Sequence, residues 1–429
     1  MTHPRSKHHP AVAVTGMGLL TPGGDGPEPL WATLWSGQST AARLPLTGPR
    51  ELPVRFGCRI PDFDPVTVLG DKAARRMDRS CQLAVASGLA AIADAGLTDV
   101  DHARAGIVVG TAIGGLETHE EAIVGELSGG KATRRNPLAI PMIMPNAAAG
   151  QLAIRSGWAG PNITITNACA SGANAIGEAM KMVRDGTVDV VLAGGTEAPL
   201  TPFCILGFHY LRALSTRNDD PRCASRPFDK QRDGFVMAEA AAFVVLEAAS
   251  HAQARGAQCW AYLTGYAHNS DAWDIVSPTP DGSGAERCMR LALQDAGAHP
   301  SDVLFINAHG TSTVLNDRAE AQAIRRLFGD DAPPVTSNKG ALGHSIGAAG
   351  AVEFAATCLS LSAGQIPPTA NYERSEPRIE IDIVSGTGVS IGSSGDLAIS
   401  NSFGFGGNNV CLVAQGGERK LDGPERRVL

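Results

Sequence analysis

A cysteine at the start of a predicted helix is the residue of this sequence that most clearly suggests covalent chemistry. Cys169 lies in Asn167-Ala168-Cys169-Ala170-Ser171-Gly172, between a β-branched run at 163–166 and a helical pattern that closes at Asp185-Gly186. The change of apolar period from two to 3.6 predicts a strand, a sharp turn and a helix. At such a turn the helix dipole and unpaired N–H groups favour a thiolate and can hold an oxyanion. Taken alone, a free cysteine is more often a small buried residue.

Two histidines and a lysine stand far downstream of this cysteine. His309 follows a predicted strand at 303–307 and precedes a glycine and three small hydroxyl residues, which predicts exposure to a cleft. His344 follows Lys339 by five residues in a stretch with glycines at 340, 343, 347 and 350, which suggests close backbone packing. Each of these residues has an ordinary structural interpretation by itself. In 401–409, glycines alternate with phenylalanines, which predicts a flexible loop with free N–H groups rather than a strand.

The elements that must position these residues recur in two halves. We predict buried strands at 12–14, 107–109, 163–166, 188–192 and 242–246, and again at 261–265, 303–307, 381–384, 397–400 and 410–413. Helical patterns lie between them, at 72–95, 284–296, 318–327 and 347–361. Continuous apolar strands between helices indicate an α/β protein whose sheets are covered on both faces. We divide the chain into residues 1–10, a disordered leader, and two related halves at 11–255 and 256–429.

Composition restricts the class of protein. A net charge of −7 argues against a nucleic-acid partner. Nine scattered cysteines without a C-x-x-C pair are neither a disulfide framework nor a zinc site, so we expect a reducing, cytoplasmic environment and no metal. No run of 18 apolar residues occurs, so we expect no membrane span.

In combination, these motifs resemble those of the β-ketoacyl-ACP synthase family, and most closely its elongating branch, synthase II. The resemblance runs from residue 12 to residue 410 and rests on Ala-Cys-Ala-Ser-Gly, His-Gly-Thr-Ser-Thr, Lys-x-x-x-Gly-His-x-x-Gly-Ala-Ala-Gly and Asn-Ser-Phe-Gly-Phe-Gly-Gly. It implies a thiolase fold, which is an internally duplicated, five-layered αβαβα sandwich that dimerises. It also implies a decarboxylative Claisen condensation between malonyl-ACP and a cysteine-bound acyl chain.

The resemblance assigns the catalytic roles. Cys169 takes the acyl group, and the N–H groups of Cys169 and Phe405 form the oxyanion hole. His309 and His344 donate hydrogen bonds to the malonyl thioester oxygen, and Lys339 supports both histidines electrostatically. Which histidine helps to deprotonate the cysteine stays open.

Further positions match residues that surround the family's site. Asp317 and Glu320 match acids that orient Lys339 and its loop, and Phe405 matches a gatekeeper of the acyl pocket. Matches to substrate-binding positions are Ile113 in the acyl pocket, Phe403, and the pantetheine contacts Thr311 and Thr313. Matches to positions that dock the acidic acyl carrier protein are Lys72, Arg75, Arg76 and Arg212. The resemblance implies no cofactor, because the substrates arrive on the carrier protein's phosphopantetheine arm.

The sequence also departs from the family pattern. Ala238 and Ala240 stand where glycines are usual, Val314-Leu315-Asn316 replaces a common Pro-x-Gly, and Asn408 replaces a common threonine. None of these changes removes a catalytic group, but together they suggest specialisation.

Related enzymes with other catalytic sets fit less well. Thiolases use Cys–His–Cys, starter-type synthases use Cys–His–Asn, and the chain-length factors of type II polyketide systems lack the nucleophile. Two possibilities stay open: a homodimer that elongates fatty acids by itself, and the catalytic α subunit of a polyketide ketosynthase, paired with a chain-length-factor homologue.

Overall fold

The computed structural model describes residues 11–45, 51–127, 136–391 and 396–421. The predicted leader, residues 1–10, lies outside these ranges. Each half of the described chain contributes one sheet. The strands are β1 (Val12–Thr21), β2 (Ala105–Gly110), β3 (Asn162–Ile165), β4 (Val190–Glu197) and β5 (Ala240–Ala248), then β6 (Ala261–Ser270), β7 (Val303–Asn307), β8 (Val335–Thr336), β9 (Leu397–Gly404) and β10 (Asn408–Gly416).

The two sheets have the same topology. Their strand orders are β3-β2-β4-β5-β1 and β8-β7-β9-β10-β6. In both, the first two pairings are parallel and the last two are antiparallel. A short antiparallel pairing of β1 with β6, from Val12 opposite Leu263 to Val14 opposite Ala261, joins them edge to edge. The duplication predicted above is therefore present strand by strand.

Helices cover the outer faces of the sheets and fill the space between them. They are α1 (Pro27–Ser36), α2 (Pro65–Leu69), α3 (Asp71–Ala74), α4 (Arg79–Asp94), α5 (Leu116–Leu127), α6 (Ala139–Ile143), α7 (Ala147–Ser156), α8 (Ser171–Arg184), α9 (Pro202–Tyr210), α10 (Ala249–Ala254), α11 (Ser283–Ala296), α12 (Val314–Phe328), α13 (Lys339–Leu342) and α14 (Ala349–Ala363). Helices α4 and α7 pack outside the first sheet, α11 and α12 outside the second, and α8 packs against α14 in the middle. This arrangement confirms the five-layered αβαβα sandwich.

Helix α14 of the central layer is mostly apolar, because nearly all of its residues are buried. One helical segment of the described residues, Ile346–Ala363, is long and apolar enough to cross a membrane, with a mean hydropathy of 1.4. However, 94% of that segment is buried inside the protein, as expected for the core helix of a sandwich.

Three predicted elements differ from the structure. The helix predicted at 72–95 is broken into α3 and α4, because Asp78 caps α4 by accepting a hydrogen bond from the Ser80 N–H. The strand predicted at 381–384 contributes only an isolated bridge between Ile383 and Val335. The loop predicted at 401–409 is mostly a hairpin, since residues 401–404 continue β9 and pair with β10. Cross-strand hydrogen bonds there outweigh the poor strand propensity of glycine.

Candidate active site

Cys169 lies in a strained turn between β3 and α8, as its sequence context predicts. It is the middle residue of a single 3₁₀ turn, Ala168–Ala170, which runs directly into α8. Ala168 has a φ of 48°, a left-handed conformation that costs a non-glycine residue free energy. The backbone of Gly404 packs against this turn so closely that a Cβ there would lie 3.1 Å from the Cys169 nitrogen. Cys169 is thereby held beneath the β9–β10 hairpin.

The thiol is buried, which corrects one expectation from the sequence. Burial raises the pKa of Cys169 to about 12, although the charge of Lys339 and the Phe405 N–H both act to lower it. The helix start alone therefore does not supply a resting thiolate, because desolvation opposes it. Attack on a carbonyl requires a base that removes the thiol proton.

His309 is held in one orientation by a lysine. The Lys339 Nζ lies 3.2 Å from His309 Nδ1 and donates to the His309 carbonyl oxygen at 2.6 Å. It also forms a buried ion pair with Glu353. Because an ammonium group can only donate, Nδ1 must accept, so the ring proton of a neutral His309 is on Nε2. Burial, followed by Lys339, lowers the pKa of His309 well below its usual value, so the ring is neutral near pH 7.

His344 faces His309 across the same site. The two rings meet edge to face, with centroids 5.4 Å apart and an interplanar angle of 86°. Its backbone N–H donates to the Val236 carbonyl at 2.7 Å, and its ring packs edge-on against Phe235. Burial and the charge of Lys339 lower the pKa of His344 well below its usual value. Two neutral imidazoles therefore lie next to each other, and each can donate one hydrogen bond. Lys339 occupies the second ring nitrogen of His309, whereas Nδ1 of His344 has no protein partner among the described residues, so His344 is the ring that can accept a proton.

These groups share a cavity of about 220 Å³. Eight residues that the sequence singled out line it: Cys169, Arg212, His309, Thr311, Thr313, His344, Phe403 and Phe405. The wall is otherwise largely apolar and includes Phe208, Leu211, Phe235 and Val276, together with the unusual Val314-Leu315-Asn316 segment. Phe405 packs against Phe208 with ring centroids 6.2 Å apart, and Phe403 packs against His309 at 5.8 Å. One cavity thus joins a nucleophile from the first half to two histidines from the second.

Asp317 and Glu320 orient loops but do not contact the lysine, which corrects the prediction for these two acids. Glu320 accepts hydrogen bonds from the N–H groups of His309 and Gly310, at 2.9 and 2.8 Å. Asp317 accepts from the Phe228 N–H at 2.7 Å and pairs with Arg232. The ion-pair partner of Lys339 is instead Glu353, whose pKa burial raises to about 7 against the opposing effect of Lys339.

Glu353 is one of two acidic residues of this site that the sequence did not predict. It is the single acid of α14 and lies in an otherwise uncharged helix, which is the signal that could have found it. Glu197 was missed as well. Its buried carboxylate accepts hydrogen bonds from Thr111 Oγ1 and from the N–H groups of Ala112 and Gly347, and so connects the two halves beside the cavity.

Other predicted residues lie away from the cavity wall. Ile113 is half-buried and packs in the hydrophobic cluster that includes Cys169. Lys72, Arg75 and Arg76 are exposed around α3, where Arg75 pairs with Asp71, whereas Arg212 is exposed at the cavity itself. Of the four residues predicted to dock the carrier protein, Arg212 alone lines the cavity.

Several oxygens near Lys339 are without a protein partner within the described part of the chain. They are Asn307 Oδ1, Glu353 Oε2, Ser400 Oγ and Asn401 Oδ1. Buried oxygens of this kind need a donor or a cation, so these atoms could hold a water molecule or a hard cation. Among the described residues, no group of three or more His, Cys, Asp or Glu side chains is arranged as a metal site.

Comparison with known proteins agrees with this geometry. The family model described as "Beta-ketoacyl synthase, N-terminal domain" matches residues 9–252, and "Beta-ketoacyl synthase, C-terminal domain" matches residues 260–373. The chain is 42% identical over 406 residues to 3-oxoacyl-[acyl-carrier-protein] synthase 2 of Synechocystis sp., covering 94% of this chain and 97% of that protein. The same named protein of Rhizobium meliloti is 42% identical over 416 residues, covering 94% and 98%.

Solved structures give the same result. The ishigamide ketosynthase/chain length factor superposes with a TM-score of 0.89 at 33% identity, covering 95% of this chain and 99% of that one. AntDE:AntF, a type II PKS acyl-carrier protein in complex with its ketosynthase bound to the hexaketide, superposes with a TM-score of 0.86 at 31% identity, again covering 95% and 99%. Motifs, duplicated fold and sequence matches agree over nearly the whole length, and the chain belongs to the β-ketoacyl synthase family.

Proposed function

We propose that this chain elongates acyl chains by condensing a Cys169-bound acyl group with malonyl-ACP, with loss of CO₂. The observation that carries the proposal is the convergence of one buried thiol with two neutral histidines in a single cavity. A thiol serves covalent acyl transfer, and paired N–H donors serve an enolate.

Acyl transfer takes place on Cys169, the nucleophile that the first half of the molecule contributes. A histidine ring takes the Cys169 proton, and the sulfur attacks the acyl thioester carbonyl. The N–H groups of Cys169 and Phe405 hold the oxyanion, since both residues line the cavity at the β9–β10 turn. The carrier thiol then leaves with the proton, and the acyl group stays on sulfur.

Condensation uses the second half. The Nε2–H of His309 and a ring N–H of His344 hydrogen-bond the malonyl thioester oxygen and stabilise the enolate formed when CO₂ leaves. The enolate carbon attacks the acyl-enzyme carbonyl, a carbon–carbon bond forms, and the Cys169 sulfur leaves as a thiolate that takes a proton from solvent. Lys339 keeps His309 Nδ1 in the accepting state that this step needs.

An acyl carrier protein is the partner we propose for both substrates, with Arg212 at the cavity mouth and Lys72, Arg75 and Arg76 exposed on the surface of the same half. Curated relatives named 3-oxoacyl-[acyl-carrier-protein] synthase 2 and a ketosynthase neighbour solved with its carrier protein support this choice. We further propose that no cofactor beyond the carrier's pantetheine arm is needed and that the enzyme is cytoplasmic.

A second copy of this chain is the dimer partner we propose. Strand β3 is an edge of the sheet, and apolar side chains are exposed on it and on α5, α6 and α7: Ile123, Leu127, Ile140, Ile154 and Ile163. An unpaired edge beside exposed apolar residues is typical of an interface. Similarity to a ketosynthase/chain length factor structure favours a second candidate, the α subunit of a polyketide heterodimer. However, the chain is 42% identical to 3-oxoacyl-[acyl-carrier-protein] synthase 2 and only 33% identical to that structure.

The test is a condensation assay on the purified chain alone, with acyl-ACP and malonyl-ACP and the products identified by the mass of the carrier arm. An acyl chain that is lengthened by two carbons and carries a 3-oxo group, and that Cys169→Ala does not form, supports the elongating enzyme. A native mass of two chains supports the homodimer. Acylated Cys169 without growth would indicate the polyketide α subunit that lacks its partner. Neither acylation nor growth would contradict the proposal.

A further inference from the structure

A chain of buried hydrogen bonds connects the Cys169 turn to the second half of the molecule. Asn167 Nδ2 donates to Asn174 Oδ1 at 2.6 Å, and Asn174 Nδ2 donates to the hydroxyl of Tyr266. Tyr266 donates in turn to Glu178 Oε1 at 2.9 Å. Asn174 and Tyr266 are 3% and 5% exposed, so water does not compete for the bond between them.

The direction of this chain is fixed by its ends. A carboxylate only accepts, so Tyr266 must give its one proton to Glu178 and must accept from the Asn174 amide nitrogen. That choice leaves Asn174 Oδ1 as the acceptor for Asn167. Every donor and acceptor along the line therefore has one consistent role, and removal of the Tyr266 hydroxyl leaves a buried N–H without its partner.

The hydrogen bonds from Tyr266 end at the strained turn that precedes Cys169. Ala168 holds a φ of 48° directly before the nucleophile, and such a conformation persists only where neighbouring contacts enforce it. Ser171 provides one contact, because its Oγ accepts from the Asn167 N–H at 2.9 Å and donates to the Ala168 carbonyl at 2.7 Å. The Asn174 bond to the Asn167 side chain provides the other.

The two halves are shaped to let Tyr266 reach this position. Tyr266 belongs to β6, whereas Asn174 and Glu178 belong to α8. Gly177 lies under the tyrosine ring, and a Cβ there would come within 2.2 Å of it. Lys181 stacks over the ring with its Nζ 4.8 Å from the centroid. The ring of this second-half residue is thus held against α8 of the first half, with its hydroxyl bonded to Asn174.

We propose that Tyr266 is a positioning residue for Cys169, acting through Asn174 and Asn167 to fix the turn whose N–H must face the thioester oxygen. This inference rests on the proposed function, since it concerns acyl transfer to Cys169. Tyr266 does not line the cavity and touches no reacting atom.

The experiment compares Tyr266→Phe with Tyr262→Phe, the same change four residues earlier on β6. The Tyr262 hydroxyl bonds to Glu418 and Cys259 and takes no part in the hydrogen bonds that lead to Cys169, so this variant is a matched control. Two rates are measured at pH 8 by intact mass: acylation of Cys169 by octanoyl-pantetheine and alkylation of Cys169 by iodoacetamide. Acylation needs the oxyanion hole, whereas alkylation at a saturated carbon does not.

We expect Tyr266→Phe to slow acylation about tenfold and alkylation less than about twofold, because the N–H is misaligned while the thiol stays accessible. Tyr262→Phe should change neither rate. Asn174→Ala should match Tyr266→Phe, and the double variant should be no slower than either, because both break one path.

Equal acylation rates in Tyr266→Phe and the unsubstituted protein would overturn the inference alone, as would equal slowing of both reactions or additive effects in the double variant. Absence of acylation in the unsubstituted protein would instead overturn the proposed function, and the inference with it.

Discussion

The two halves of the molecule build the same turn and use it differently. In the first half, Ala168 leads into Cys169, and in the second, Ile346 leads into Gly347; both leading residues have a φ of 48°. Each turn opens a central helix, α8 or α14. The Gly347 N–H donates to the buried carboxylate of Glu197 at 3.2 Å, whereas Cys169 lines the cavity. One helix start thus binds a carboxyl group of the protein itself, and its counterpart is left for the oxyanion of a substrate.

The connections that lead to these turns also differ. In the first half, β3 ends at Ile165, and the turn follows at Ala168. In the second, β8 ends at Thr336, and α13 intervenes before the turn at Ile346. That longer connection carries Lys339 and His344. The shared turn is enough to place the nucleophile, whereas Lys339 and His344 lie on residues that are present only in the longer connection of the second half.

The largest expected effect is the pH dependence of Cys169 alkylation, which follows from the buried, protonated thiol of the first half. Because the pKa of Cys169 is raised to about 12, its thiolate fraction grows about tenfold per pH unit at every lower pH. Alkylation of Cys169 by iodoacetamide should therefore rise about a thousandfold from pH 6 to pH 9. Peptide masses after timed quenching measure it, and a plateau near pH 7 would contradict the buried, protonated thiol.

Removal of a second-half histidine should separate the two steps. His344→Ala is expected to slow condensation about 10²–10³-fold, because one of two donors to the enolate is lost, and to slow acylation of Cys169 less, because the oxyanion hole is intact. Acyl-enzyme formation and CO₂ release are measured in the same sample. His299→Ala, at an exposed histidine, is the control. Equal slowing of acylation and condensation would contradict the assignment of His344 to the condensation step.

The sequence predicted the residues of this site better than their connections. Cys169, His309 and His344 carry recognisable local motifs, and all three line the cavity. The Lys339–Glu353 pair and the Tyr266 link depend on contacts between distant segments, which local patterns do not encode. The paired hairpin at 401–404 was predicted as a loop for the same reason, because its strand pairing is tertiary and overrides propensity.

The two turns should also differ in what they tolerate. A Cβ on Gly347 would lie 2.4 Å from Glu197 Oε2 and from the Ala112 nitrogen, so Gly347→Ala should lower the free energy of unfolding by about 1–3 kcal/mol. Gly207→Ala is the control, because nothing lies within 4 Å of its Cβ position in α9, and a gain of about 0.5–1 kcal/mol is expected. Urea unfolding measures both, and equal effects would show that Glu197 does not fill the second turn.

The smallest expected effect concerns carrier-protein docking on the first half. Arg75→Glu with Arg76→Glu should raise the KM for acyl-ACP about five- to tenfold, because charge complementarity to an acidic partner is reversed. Arg290→Glu is the matched control, since Arg290, like Arg75, forms an exposed ion pair with the acid four residues before it. An unchanged KM would restrict docking to the cavity mouth around Arg212.

The most direct test of the division between the halves is to locate the acyl group in the unsubstituted enzyme. The protein is incubated with octanoyl-ACP alone, digested and mapped by mass across its nine cysteines, and then chased with malonyl-ACP. We predict one octanoyl group per chain, on Cys169, which the chase removes as 3-oxodecanoyl-ACP. An acyl group on any other residue, or one that the chase leaves in place, would contradict the account.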